Sequence, residues 1–313
     1  MLFPILSLII GLIVLVWSAD KFVFGAAATA KNFGMSPMLI GLTIVSFGTS
    51  APEILVSLMA TIEDSGTLAV GNAIGSNIAN IALVLGATAL IAPLPVKNAV
   101  RTKEMPLMIA VTLISGAVLF NLKLDLIDSV LLFAALLISL ILFAKFQQGM
   151  NEHEDEEIPE MSTPVSLFWL IIGLLLLIAS SKALVWGATE IATALGVSDL
   201  IIGLTIVAIG TSLPELAASI TSALKGHHDI AIGNVIGSNI FNLGAVMSIP
   251  GFFGTIEFSS DVFYRDYLVM LFVSLLLLAF CFMRKPAVVK RLEGTLLLGI
   301  YGAYMFVLYS VSV

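Results

Sequence analysis

The chain has 313 residues, of which 59% are hydrophobic and 11% are charged, and its mean hydropathy is +1.10. This composition excludes a soluble domain and predicts a membrane protein with several transmembrane segments. The net charge of −7 comes largely from one acidic stretch and there is no basic domain, so we expect no nucleic-acid partner. The single cysteine, Cys281, excludes an intramolecular disulfide.

Ten apolar stretches of the sequence are long enough to cross a bilayer, allowing for tilt. These predicted spans 1 to 10 cover residues 2–30, 38–62, 67–92, 104–120, 126–146, 164–194, 200–224, 229–252, 265–283 and 291–311. Residues 1–17 lack the basic start of a signal peptide, so span 1 is expected to be retained. A polar link at 147–163 separates two halves, 1–146 and 164–313, with five spans each.

The two halves contain the same stretch of sequence. Residues 36–80 recur as residues 198–242 without a gap, so that each position corresponds to the one 162 residues later, and about half of the positions are identical. Since each span of the second copy comes five spans after its equivalent, and five is odd, the second copy must cross the membrane in the opposite sense. We therefore predict an all-α fold of ten transmembrane helices in two inverted five-helix repeats, an architecture found in many secondary transporters.

Basic residues test this topology independently. With the N-terminus outside, the inner loops and their margins hold Lys31, Lys97, Arg101, Lys103, Lys145, Lys225, Arg284, Lys285, Lys290 and Arg291. The outer loops hold only Lys123 and Arg265. The positive-inside rule therefore places both termini outside the cell membrane and the link 147–163 in the cytoplasm.

The link contains an acidic run at 152–157. It could be a calcium-sensing segment, because hard cations bind clustered carboxylates. The run has no glycine turn and no spaced ligand pattern, which favours a solvated connector.

Span 2 carries polar residues on one helix face of an otherwise apolar stretch, namely Ser46, Thr49, Ser50, Glu53 and Ser57. Span 7 repeats this stripe as Ala208, Thr211, Ser212, Glu215 and Ser219. A proline interrupts each stripe, and neither Pro52 nor Pro214 can donate a hydrogen bond to the carbonyl of Gly48 or Gly210 four residues earlier. We expect each helix to break there and to turn carbonyl oxygens toward a lined cavity.

Spans 3 and 8 add matching polar residues, which are Asn72, Ser76, Asn77 and Asn80 in one and Asn234, Ser238, Asn239 and Asn242 in the other. The glycine pairs Gly71 and Gly75, and Gly233 and Gly237, should let a neighbouring helix approach closely. Alone, such residues are explained by contacts between helices. Together with the two stripes, they predict a polar pocket inside the membrane.

Glu53 and Glu215 occupy equivalent positions within the bilayer, where a carboxylate costs about 3 kcal/mol. Each could be a protonated structural residue, but the matching hydroxyls and helix breaks favour a cation site. Two carboxylates with hydroxyl, amide and carbonyl oxygens suit Ca²⁺, which accepts six to eight oxygen ligands. Na⁺, which is similar in size, could occupy the same pocket.

At the motifs GLTIV..GTS.PE and GN.IGSNI.N, each present twice, the sequence resembles the sodium/calcium exchangers of the Ca²⁺/cation antiporter superfamily, specifically the compact prokaryotic kind. The resemblance covers the whole chain. It implies an antiporter that exchanges Na⁺ for Ca²⁺ by alternating access at a midplane site, with no cofactor and no obligate protein partner. The implied Ca²⁺ site uses Glu53, Glu215, Thr49 and Thr211. The implied Na⁺ sites use Ser50, Ser76, Ser212 and Ser238 and the carbonyls of Ser46 and Ala208, and Asn80 and Asn242 line the centre.

The coupling ion leaves alternatives open. Proton-coupled calcium exchangers carry Gly-Asn-x-x-Glu where this chain has Gly48-Thr49-Ser50-Ala51-Pro52-Glu53, and potassium-dependent exchangers tend to have aspartate at the position of Asn242. Both departures favour Na⁺ coupling over Ca²⁺/H⁺ or K⁺-dependent exchange.

A cation channel and an intramembrane enzyme are the rivals from other classes. A channel usually needs an oligomeric ring of ligands, whereas this chain supplies a two-fold site by itself. The three histidines, His153, His227 and His228, are all predicted in loops, which argues against an enzyme. Without a G-x-x-x-x-G-K-[ST] motif, an ion gradient must drive transport.

Spans 1 and 6 hold further charges, including Asp20 and Lys182, which are repeat equivalents of opposite sign. We expect the two helices to cross near the pseudo-twofold axis and to pair Asp20 with Lys182. The alternative is that each side chain extends to a membrane interface.

Overall fold

The computed structural model describes residues 2–146, 160–197, 202, 206 and 208–312. Its helices, numbered after the predicted spans, are α1 (Leu2–Asn32), α2a (Pro37–Thr49), α2b (Ala51–Ile62), α3 (Gly66–Ile91), α4 (Val100–Leu119), α5 (Leu126–Phe146), α6 (Thr163–Ala194), α7a (Ala208–Thr211), α7b (Leu213–Leu224), α8 (His228–Phe253), α9 (Val262–Met283) and α10 (Arg291–Ser312). Short strands lie in the loops, namely β1 (Leu94–Pro95), β2 (Lys123–Leu124), β3 (Ile256–Glu257) and β4 (Val288–Val289).

The helices reproduce the predicted spans. Within the described residues, eight helices are long and apolar enough to cross a membrane, and α2a and α2b together form a further span that bends by 42°. The predicted span 200–224 lies partly outside the described residues, and α7a and α7b occupy its remainder from Ala208 onward. The acidic run 152–157 also lies outside them. The all-α transmembrane fold is thus confirmed, with helix ends within a few residues of their predicted positions.

The helices α3 and α8 form the centre of the molecule. Their most apolar windows are 72% and 94% buried, whereas those of α1 and α10 are each only 22% buried. Helices α3 and α8 carry the glycines, serines and asparagines noted in the sequence, and these small side chains allow close contact with neighbours. The outer helices carry exposed leucine, isoleucine and phenylalanine side chains.

Helices α1 and α6 pack against each other over most of their lengths. Gly11 contacts Leu184, and a Cβ atom at Gly173 would lie 2.7 Å from the backbone nitrogen of Phe22. Residue numbers rise along α1 while those of its contacts fall along α6, so the two helices are antiparallel. Moreover, Gly173 and Phe22 are the repeat equivalents of Gly11 and Leu184. The crossing predicted near the pseudo-twofold axis is therefore confirmed.

The short strands show the inversion of the repeats. Strand β1 pairs with β4, and β2 pairs with β3, both antiparallel. The two pairs lie at opposite ends of α4, whose 20 residues span about 30 Å. Because β1 and β3 are repeat equivalents, equivalent loops lie at opposite ends of the molecule. This arrangement agrees with the predicted assignment of loops to two sides.

The predicted ion pair between Asp20 and Lys182 is wrong. Asp20 Oδ1 lies 2.6 Å from the Nζ atom of Lys225, and Asp20 Oδ2 lies 3.7 Å from that of Lys21. The antiparallel register explains the error, because the residue of α6 that faces Asp20 is about seven positions from Lys182, or about 10 Å along the axis.

Candidate cation-binding site

The break in span 2 places a carboxylate at the start of a helix. Ser50 leaves helical geometry, with φ of −82° and ψ of 2°, and α2b begins at the next residue. Pro52 is its second residue, where the missing N–H costs nothing, and Glu53 is its third. The positive end of the helix dipole there favours a negative charge. The break thus creates a place where a buried carboxylate is tolerated.

The second repeat has the same construction. Ser212 has φ of −90° and ψ of 5°, Pro214 is the second residue of α7b, and Glu215 is the third. The Gly210 carbonyl, freed by Pro214, accepts a hydrogen bond from the Ser181 hydroxyl at 2.9 Å. In the first repeat, the Ser50 N–H turns toward the carbonyls of Gly48 and Ser46. The predicted breaks are present, but nearby donors engage these carbonyls.

Glycines fix the position of α2a against α8. A Cβ atom at Gly233 would lie 2.9 Å from the carbonyl oxygen of Met38, and one at Gly237 would lie 2.5 Å from that of Leu42. Around the equivalent Gly71 and Gly75, no described neighbour lies within 4 Å of the Cβ position. The segment that would face them by symmetry lies mostly outside the described residues. Close approach is therefore confirmed for the second glycine pair.

The two glutamates meet inside the protein. Each is 1% exposed, and the Glu215 carboxylate interacts electrostatically with that of Glu53. Glu215 Oε1 also accepts a hydrogen bond from the Ser50 hydroxyl at 3.5 Å and interacts with the Thr49 hydroxyl. Hydroxyls of the first repeat therefore contact the carboxylate of the second, and the pocket belongs to both repeats.

Two asparagines hold the helix breaks in place. The amide of Asn72 donates to the backbone carbonyl of Glu53 at 3.3 Å, and that of Asn234 donates to the backbone carbonyl of Glu215 at 3.4 Å. These bonds are related by the repeat. Asn234 also accepts a hydrogen bond from the Thr49 hydroxyl at 3.1 Å. The sequence marked both asparagines as polar residues of spans 3 and 8 but did not assign them this role.

Several buried polar atoms of the glutamates and of other predicted ligands have no hydrogen-bond partner among the described residues. They are Oε2 of Glu53 and of Glu215, the hydroxyls of Ser212 and Ser238, and both amide atoms of Asn80 and Asn242. A buried polar group without a partner costs about 1–3 kcal/mol. The oxygens among these atoms are the kind that binds hard cations.

Contacts join Thr49, Ser50 and Glu53 to Glu215. Most of the predicted ligands are buried, namely Glu53, Glu215, Thr49, Ser46, Ser50, Ser76, Ser212, Ser238, Asn80 and Asn242. Thr211 is partly exposed at the wall of a cavity, and of Ala208 only the backbone, at the start of α7a, is described. Asn80 and Asn242 lie in wide π-helical turns, Ala79–Leu85 and Asn242–Val246, which no feature of the sequence predicted. Such turns are frequent at functional sites.

A cavity lies beside the two helix breaks, with Pro52 and Thr211 in its wall. It has a volume of about 570 Å³ and runs between α2b and α6, from Pro52 beside the site to Glu63 beyond the end of α2b. Nearby, Gly66 contacts Ile256 of β3, so the cavity opens on the side of β2 and β3. On the opposite side, α1 packs against α7b.

Comparisons with known proteins agree over the whole chain. A family model described as sodium/calcium exchanger protein matches residues 3–145 and 165–310. Inner membrane protein YrbG of Escherichia coli K12 is 40% identical over 100% of this chain and 98% of its own length. Sodium/calcium exchanger MaX1 of Methanosarcina acetivorans is 31% identical over 98% of each chain. A solved structure of the sodium-calcium exchanger NCX_Mj, soaked with 10 mM Na⁺ and zero Ca²⁺, has a TM-score of 0.85 and 34% identity over 99% of each chain.

Proposed function

Because this chain belongs to the sodium/calcium exchanger family, we propose that it exchanges Na⁺ for Ca²⁺ across the membrane by alternating access. Membership makes it a multi-pass membrane cation antiporter of ten helices in inverted repeats, and not an enzyme, as the sequence predicted. The observation that carries the proposal is the meeting of Glu53 and Glu215 in one buried pocket that both repeats build.

The two carboxylates are the proposed Ca²⁺ ligands, with the hydroxyls of Thr49 and Thr211 beside them. Two negative charges balance one Ca²⁺, and loose oxygen coordination suits this ion better than Mg²⁺. The proposed Na⁺ ligands are Ser50, Ser76, Ser212 and Ser238 and the backbone carbonyls of Ser46 and Ala208. Asn80 and Asn242 line the space between them, and their unpartnered amide oxygens support this assignment.

Coupling follows from the cost of burying unpaired charge. If the pocket were closed off without a cation, two carboxylates would be buried without partners, at several kcal/mol each. The empty carrier therefore stays open to one side. Binding of Ca²⁺ or of Na⁺ neutralises Glu53 and Glu215 and allows the change of access, which produces exchange and prevents leak.

Sodium coupling is preferred over the two nearest alternatives. The residue beside the site is Asn242 and not aspartate, so it supplies no third carboxylate for K⁺ or for a proton. The full-length match to MaX1, whose name is sodium/calcium exchanger, also supports this choice. The proposed orientation has both termini outside and the link 147–163 in the cytoplasm, so the cavity faces the outside.

The test is uptake of radiolabelled Ca²⁺ into proteoliposomes that are loaded with Na⁺ and diluted into Na⁺-free buffer. We expect uptake to require internal Na⁺ and to be abolished in Glu53→Gln. The matched control is Glu190→Gln, because Glu190 is an exposed residue of a transmembrane helix and lies outside the pocket. Its uptake should equal that of the unmodified protein.

Other results would contradict the proposal. Uptake driven equally well by a pH gradient would indicate Ca²⁺/H⁺ exchange, and uptake that needs added K⁺ would indicate the potassium-dependent type. Ca²⁺ entry that needs no counter-ion would indicate a channel. Absence of Ca²⁺ uptake would mean that the carboxylates bind another cation.

A further inference from the structure

One ion pair lies on the side of the molecule opposite the cavity. Asp20 of α1 and Lys225, directly after α7b, lie 2.6 Å apart, and their side chains are 33% and 26% exposed. The Lys225 ammonium also lies 3.7 Å from the ring centre of Phe24, a cation–π contact that adds to the attraction. This pair joins α1 to α7b where the two helices pack against each other.

The repeat contains the same pair with the charges reversed. The equivalent of Asp20 is Lys182 on α6, and the equivalent of Lys225 is Glu63 after α2b. Both positions carry the opposite sign in the second repeat, so the second pair is again one acid and one base. Opposite charges at these positions would attract each other if the helices came together.

In this structure the second pair is open. Among the described residues, neither Lys182 nor Glu63 takes part in an ion pair within 4.0 Å. Instead, both line the 570 Å³ cavity that separates α6 from α2b. The same two helix surfaces are thus in contact on one side of the membrane and apart on the other.

We propose that Asp20–Lys225 and Lys182–Glu63 are two alternating gates, a proposal that rests on the exchange function above. In a transporter built from inverted repeats, access changes when the two repeats exchange conformations. The α1–α7b contact then opens while the equivalent α6–α2b contact closes. Breaking Asp20–Lys225 therefore accompanies the formation of Lys182–Glu63, and each ion pair stabilises one of the two states.

Distance keeps the two gates separate. Asp20 and Lys182 are too far apart along the α1–α6 pair to bond, and Lys225 and Glu63 lie on opposite sides. Among these four residues, Asp20 can therefore pair only with Lys225, and Lys182 only with Glu63. Partly exposed ion pairs have modest energies, so removal of one pair should change the ratio of the two states by about two- to five-fold.

The test measures how fast a cysteine in the cavity reacts with a membrane-impermeant thiol reagent. The reporter is Met59→Cys in a Cys281→Ala background, because Met59 lines the cavity and is 53% exposed, and Cys281 is the only native cysteine. Asp20→Asn should lower the labelling rate about two- to five-fold, since it weakens the gate that holds the cavity open. Glu63→Gln should raise the rate or leave it at its maximum. Glu190→Gln, on α6 but outside both gates, should not change it.

Exchanging the two charges of the second gate distinguishes loss of the ion pair from loss of folding. Glu63→Lys should inhibit closure of the cavity because it faces Lys182, and the double variant Glu63→Lys with Lys182→Glu should restore both the labelling rate and the transport rate. Equal effects of Asp20→Asn and Glu63→Gln, or failure of the double variant to recover, would refute the gates. Opposite shifts in labelling without Na⁺-dependent Ca²⁺ uptake would support the gates and refute the proposed function.

Discussion

The contact between α2a and α8 can be tested with a single methyl group. Gly237 has no room for a side chain, because a Cβ atom would lie 2.5 Å from the carbonyl oxygen of Leu42 and would overlap the Ser46 hydroxyl. That hydroxyl donates to the Leu42 carbonyl at 2.8 Å, so the added carbon would separate a hydrogen-bonded pair beside the proposed cation site. Backbone atoms cannot rotate away as a flexible side chain would. We therefore expect Gly237→Ala to push α2a away from α8.

The size of the effect follows from two opposing terms. Adding a carbon to a filled interior costs typically 1–3 kcal/mol, and a contact this short with backbone puts Gly237 near the upper value. Alanine is a better helix former than glycine by about 1 kcal/mol. The net loss should be about 2 kcal/mol. Because Ser46 moves, the affinity for the transported cations should fall as well.

Gly302→Ala is the matched control. Gly302 lies on α10, is exposed, and has no described neighbour within 4 Å of the Cβ position, so only the helix-propensity term applies. Thermal unfolding of the purified proteins should give a lower Tm for Gly237→Ala and an unchanged or slightly higher Tm for Gly302→Ala. Equal Tm values for the two variants would show that α2a and α8 do not approach each other as described.

Three further predictions concern side chains. Asn234→Ala should weaken Ca²⁺ affinity by about ten-fold, because Asn234 holds the Glu215 backbone in position. A loss of this size is usual when a residue that positions a ligand is removed. An unchanged KM for Ca²⁺ uptake would contradict this role. Asn242→Asp places a third carboxylate at the site, so Ca²⁺ uptake should become dependent on pH or K⁺, and uptake that still responds to Na⁺ alone would contradict the assignment. The exposed loop pair Lys123–Glu257, 2.7 Å long, lowers the pKa of Glu257 below 4.5 and raises that of Lys123 above 10.5. The contribution of this ion pair to stability is therefore complete between these values. It falls as pH drops through the lowered pKa of Glu257 and as pH rises through the raised pKa of Lys123. A Tm difference between the native protein and Lys123→Met that varied between pH 6 and pH 9 would refute this.

Much of the fold was visible in the sequence because the membrane imposes strong constraints. Apolar length specified the helices, and the count of five spans per repeat specified the inversion. The site could also be located, since Glu53 and Glu215 are costly inside a bilayer and sit beside prolines that break their helices.

Other features depend on how helices face one another, which the repeat does not reveal. The offset of 162 relates Asp20 to its equivalent, Lys182, but equivalent residues need not touch, and the true partner is Lys225. The π-helical turns at Asn80 and Asn242 have no marker such as proline, because they arise from hydrogen bonds shifted by one residue. A sequence pattern with a helical period does not distinguish them from an ordinary turn.

The arrangement of hydrogen bonds explains why one site can govern both repeats. Glu215 is positioned by Asn234 of its own repeat but receives hydroxyls from Thr49 and Ser50 of the other. Since Asn234 also accepts from Thr49, the two broken helices share one network. A cation bound between Glu53 and Glu215, as proposed, would draw the repeats together, and its departure would leave two like charges that repel each other. Occupancy of the pocket would therefore change how the two repeats contact each other, and each proposed gate would stabilise one of the two states of access.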